Sequence, residues 1–281
     1  MASRSLIRFE KELLELKHRP APLEWASPKN NLGHVLVGLS QEQSDIAILQ
    51  QSIQEFEGAL EGCNQENNLE EWVAHQNNYA AALHALGQRD TETTVSTLNQ
   101  AMEAYKSLLP VVKRQEAPLE WALILHNIAG VSQDLGAHSE GSRTLERSIS
   151  AYSNALTVRT SNAAPLEWAL SQNNAAASMQ TLGEIKHDTD ILNESIQSYD
   201  LAQKKLTQAN NPLAWLITLS NLGFVRTTLA EQVNDVEIAR QAVDNYSDIV
   251  DFLQEATNSQ HLEIAEKYRE KAQAVLQKVG D

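Results

Sequence analysis

Apolar side chains recur along this chain on a helical period, and the same stripe returns several times. Leu145, Ile149, Tyr152 and Leu156 are spaced i, i+4, i+7 and i+11, and Leu49, Ile53, Phe56 and Leu60 repeat that spacing. Such a stripe lines one face of an α-helix. Small residues lie beside it at Ser52, Ala101, Ser148, Ser195 and Ala242, so a neighbouring helix can approach closely. A second kind of helix comes before each striped one. It opens at Pro22, Pro118, Pro165 and Pro212, and at Asn68 in the second unit. Proline suits the first helical position, where its missing N–H has no partner to lose, and asparagine caps a helix start. Leu86-Gly87, Leu135-Gly136 and Leu182-Gly183 predict where these helices stop, with weaker stops at Leu39-Ser40 and Leu229-Ala230. A glycine just past a helix supplies the left-handed residue that closes it.

The pattern has a fixed long period. Trp25, Trp72, Trp121, Trp168 and Trp215 are separated by 47, 49, 47 and 47 residues, and Phe9, Phe56, Tyr105, Tyr152, Tyr199 and Tyr246 keep step with them. A period of this length marks stacked helix–turn–helix hairpins, none of which can bury its apolar face alone. The predicted organisation is a half-repeat over 1–20, then repeats at 21–66, 67–115, 116–162, 163–209 and 210–258, then a cap helix at 259–281. Leu262 takes the tryptophan place in that cap, and Arg269 and Glu270 replace the internal Leu and Gly columns, as a solvated end requires. The tryptophans, in the first turn of each repeat, are expected to pack in the core.

Asn31-Leu32-Gly33 and Asn221-Leu222-Gly223 stand in the first helices, with Ser52-x3-Phe56-x2-Ala59-Leu60 and Ser148-x3-Tyr152-x2-Ala155-Leu156 in the second. In these residues the chain resembles the tetratricopeptide repeat, whose usual unit is 34 residues. The longer unit here is similar to an extended bacterial form that opens with "PLEWA…NN". The resemblance covers nearly the whole chain. It implies an all-α, right-handed solenoid of hairpin repeats, with the first helices lining a concave groove.

On that implication, the groove carries an asparagine six residues after every tryptophan: Asn31, Asn78, Asn127, Asn174 and Asn221. The residues one place earlier are Asn30, Asn77, His126, Asn173 and Ser220. Each amide offers two donors and an acceptor. A ladder of them can hold the backbone of an extended peptide, or it can bond neighbouring helices and hold the stack together. Beside the ladder lie His34, His84, Ile217 and Phe224, with no Lys or Arg among the groove columns, so recognition of a C-terminal carboxylate is disfavoured. The candidate binding residues are therefore Asn30, Asn31, His34, Asn77, Asn78, His84, His126, Asn127, Asn173, Asn174, Asn221 and Phe224. Ile7 and Leu14 lie on one stripe of the leading half-repeat where later repeats carry polar or small residues, which makes them a candidate edge for a homo-oligomer.

Composition narrows the function. Glycine (11) and proline (7) are scarce, and the formal charge is −15. That charge disfavours nucleic acid and anionic membrane as partners. No apolar run is expected to reach the ~20 residues that span a bilayer, nothing resembles a signal peptide, and a cytoplasmic location is the simplest expectation. The single cysteine, Cys63, falls in a column with Leu16, Val112, Leu206 and Leu253 and is expected to be buried. No phosphate loop, nucleophile elbow or metal-spaced Cys/His set is present, and His187-Asp188-x-Asp190 reads as a solvated turn rather than a metal site. The expectation is a non-enzymatic protein without cofactor or metal that binds a protein or peptide as a scaffold or adaptor. The alternatives are self-assembly through the N-terminal edge and a regulator that senses a ligand or peptide.

Overall fold

The computed structural model describes residues 22–139, 141–256 and 259–280, and every regular element among them is an α-helix. The predicted leading half-repeat, with Ile7 and Leu14, lies outside the described residues. The chain divides into two compact units, Met1–His138 and Ser139–Asp281. The division falls between the two helices of the third predicted repeat.

The first unit contains α1 (Pro22–Gln43), α2 (Ile46–Gly62), α3 (Leu69–Gly87), α4 (Thr94–Lys106) and α5 (Pro118–His138). The second contains α6 (Ser142–Leu156), α7 (Pro165–Lys186), α8 (Thr189–Gln203), α9 (Pro212–Val233), α10 (Val236–Glu255) and α11 (Ser259–Gly280). Within each unit every helix packs on the next in sequence. The first helices of successive hairpins also touch: α1 on α3 and α3 on α5, then α7 on α9 and α9 on α11. Among the described residues the second helices make no such contact with each other. The first-helix side of each unit is therefore its tighter side. The predicted all-α, consecutively stacked hairpin architecture is the one observed.

The predicted stripes form the core. Leu49, Leu98, Leu145 and Leu192 are all 0% exposed, and the aromatic column of Phe56, Tyr105, Tyr152, Tyr199 and Tyr246 lies beneath them, each side chain 3% exposed or less. Each such ring removes on the order of 150–250 Å² from water. Cys63 is buried as expected, with its Sγ 3.2 Å from the Asn68 carbonyl. The five tryptophans are only half-buried. Trp72 and Trp121 border the core of the first unit, and Trp168 and Trp215 border clusters of the second.

The helix stops differ from the expectation. No described glycine has a positive φ; Gly87, Gly136 and Gly183 lie inside their helices. A second helix presses on two of them: a Cβ at Gly87 would lie 2.7 Å from Leu98 Cδ2, and one at Gly183 would lie 2.8 Å from Leu192 Cδ2. The left-handed residues are instead Ser44, His187 and Asn234, with φ of 54°, 52° and 56°. Each is followed by an aspartate that caps the second helix. Asp45 Oδ1 accepts from the Ala47 N–H, Asp188 Oδ1 from Asp190 and Ile191, and Asp235 Oδ1 from Glu237 and Ile238. The His187-Asp188-x-Asp190 segment is thus a two-residue connector in which Asp188 has a structural role.

One expectation about hydropathy needs correction. α9 is long and apolar enough, by length and composition, to cross a membrane. Within the second unit α7, α8, α10 and α11 pack against it and bury Leu219, Leu222, Val225 and Leu229, whereas Leu213 and Ile217 stay 67% and 46% exposed.

Candidate binding site

The asparagine columns come together on the tight side of each unit, and they bond mostly to one another. In the first unit Asn78 Nδ2 donates to Asn30 Oδ1 at 3.0 Å, joining α3 to α1. Asn127 Nδ2 donates to Asn77 Oδ1 at 3.3 Å and joins α5 to α3. These are rungs between consecutive first helices, the structural one of the two roles open to the ladder. In the second unit Asn173 is buried; its Oδ1 accepts from Thr218 Oγ1 on α9 at 2.9 Å, and its Nδ2 donates to Asn174 Oδ1 at 2.9 Å. Asn221 is hydrogen-bonded to the Tyr199 side chain, whose hydroxyl also donates to Gln180 Oε1 at 3.1 Å. Burial of Tyr199, first of all, holds its phenol in the neutral form across the physiological range. Asn31 is exposed, and His126 is half-buried on α5.

The two histidines placed in the groove have separate surroundings. His34 is exposed and stands edge-on to Phe56, with ring centroids 5.4 Å apart; desolvation lowers its pKa. His84 on α3 lies with Nε2 2.7 Å from Asp134 Oδ2 on α5, and Gln88 Nε2 donates to the same oxygen at 2.8 Å. This trio ties α3 to α5 about two turns beyond the Asn77–Asn127 rung.

Open space on the tight side lies elsewhere. In the first unit a cavity of about 530 Å³ separates α3 from α5, walled by Val73, Ala74, Leu108, Val111 and Leu123, with Asn77 at its edge. In the second unit a cavity of about 300 Å³ opens between α9 and α11 over a floor of Tyr246, Ile249 and Leu253. Ser220, Asn221 and Phe224 line it from α9, and His261, Ile264 and Tyr268 from α11. Ile264 and Tyr268 are 51% and 41% exposed, and nearby Ile217 is 46% exposed. The Tyr268 ring stacks on Tyr246 at 5.8 Å, and the Lys271 ammonium lies 5.7 Å from the centre of the Phe224 ring. Phe224 and Asn221, both singled out in the sequence, therefore share a site with α11 residues that were not. The overlooked signal was Ile264 and Tyr268 at i, i+4 spacing, where a purely solvated cap would carry polar side chains. Among the described residues no cluster of three or more His, Cys, Asp or Glu side chains could hold a metal ion.

No protein-family model matches the chain, and no curated protein does. A solved de novo designed helical repeat protein aligns with 16% identity over 100% of this chain and 98% of its own, at a TM-score of 0.21. At that score the likeness carries no argument, and the site rests on its own residues.

Proposed function

We propose that this chain is a tetratricopeptide-type scaffold that binds an extended segment of a partner protein, seated on the α9–α11 cavity of its second unit. One observation carries the reading. Half-exposed apolar side chains, Ile264 and Tyr268, converge there with Ser220 and Asn221 around a cavity of about 300 Å³. That volume is at the lower end of ligand pockets and suits one or two apolar side chains of a peptide, with amide and hydroxyl groups beside it to meet the peptide backbone. The same proposal keeps the chain non-catalytic and cytoplasmic, without a nucleic-acid or membrane partner; the formal charge of −15 supports the last of these.

Selection of a displayed random-peptide library on the immobilised full chain tests the reading. Enriched peptides should carry a large apolar residue and should lose binding to an Ile264→Glu variant that keeps its helical circular dichroism. Failure to enrich any peptide, or equal binding to Ile264→Glu, overturns the proposal.

A further inference from the structure

Two tryptophans of the repeat differ in what faces them. On Trp121 the guanidinium of Arg114 lies 5.2 Å from the ring centroid, so the chain supplies its own cation to that indole. Arg114 stands seven residues before Trp121; seven residues before Trp215 stands Gln208, which has no charge to offer. Around Trp215 the space is open. A cavity of about 360 Å³ is bounded by Gln208, Trp215, Asp248, Asp251, Phe252 and Glu255. Phe252 meets the indole edge-on, with centroids 5.3 Å apart and planes at 73°.

Asp248 and Glu255 are the only acids in their columns, and Asp251 shares its column with Glu61 of the first repeat. In α8 and the loop after it the residues corresponding to Asp248, Asp251 and Glu255 are Leu201, Lys204 and Gln208. Among the described residues none of the three carboxylates makes an ion pair. Burial raises the pKa of Asp248, and the charges of Asp244 and Asp251 raise it further, as expected of acids crowded without a cation between them. An aromatic face rimmed by carboxylates favours a planar, weakly hydrated cation over a neutral group.

We propose that this cavity is a binding site for an arginine side chain of a partner polypeptide, with the guanidinium taking at Trp215 the place that Arg114 takes at Trp121. The site goes beyond the peptide-binding reading and does not depend on the α9–α11 cavity.

The test follows the Trp215 indole N–H by NMR in the full chain, assigned by its loss in Trp215→Phe, during titration with N-acetylargininamide. The neutral isostere N-acetylcitrullinamide is titrated in parallel. A saturable shift with the arginine compound alone is the expected result, weakened about tenfold or more in an Asp248→Asn, Asp251→Asn double variant. Gln208→Arg should fill the cavity from within and abolish the response. Equal shifts with the citrulline compound, no shift with either, or full binding by a folded Gln208→Arg variant overturns the proposal. The wild-type comparison of the two compounds decides the matter even if a variant does not fold.

Discussion

The ring of Phe56 closes directly over Gly33: a Cβ at that glycine would lie 2.7 Å from Phe56 Cε1. Gly223 stands in the same relation to Tyr246, at 2.9 Å. The three hairpins between them carry Ala80, Ala129 and Ala176 in this column. Gly33→Ala should therefore destabilise the fold by about 1–2 kcal/mol, because overpacking outweighs the gain in helix propensity. Five residues on, Gly38 has nothing within 4 Å of a built Cβ, and Gly38→Ala should stabilise by about 0.5–1 kcal/mol. Urea unfolding of the pair checks the opposite signs.

The Asn30–Asn78 rung makes a second prediction. Either residue changed to Ala should cost about 1 kcal/mol, and the double variant should cost less than the sum. A coupling energy near zero in that cycle would mean the amides are held by something other than each other.

Arg226 sits where earlier first helices carry Leu36, Leu83, Ser132 and Met179. Its Nη2 donates to both oxygens of Asp200, at 2.9 and 3.1 Å, and its Nη1 to Asn245 Oδ1 at 2.8 Å. Asp200→Ala strands a largely buried guanidinium and should cost about 2 kcal/mol, whereas Arg226→Met should be neutral or stabilising. Thermal unfolding of the two variants separates a pair that stabilises from one that only satisfies itself.

Glu184 gives a pH signature. Burial raises its carboxyl pKa, against a smaller opposing effect from the Gln180 hydrogen bond. With the folded value above the unfolded one, the folded state holds the proton more tightly. Stability is then lost as pH rises from the ordinary carboxylate range through the raised value. Glu184→Gln should raise Tm by about a degree or two at neutral pH, and the advantage should vanish near about pH 4. A pH-independent difference in Tm would refute this account.

The repeat, the helix starts and the core were legible because each is set by local sequence: period, proline and stripe. The stops were misread for a physical reason. Glycine at a helix end serves either backbone freedom or close packing, and only the position of Leu98 or Leu192 tells these apart. The αL-Asp connectors were equally visible as Ser44-Asp45, His187-Asp188 and Asn234-Asp235, yet serine is not a residue expected at positive φ. For the candidate site, the amide columns stood out in the sequence, but their partners did not. A side chain able to bind a ligand backbone can equally bind its counterpart one hairpin away. The α9–α11 cavity depends on tertiary placement of Ile264 and Tyr268, which periodicity cannot supply.

Asn77 accepts from one neighbour while adjacent Asn78 donates to the other, so a single helix carries both halves of the joint. A hairpin duplicated in tandem would arrive already fitted with matching plug and socket.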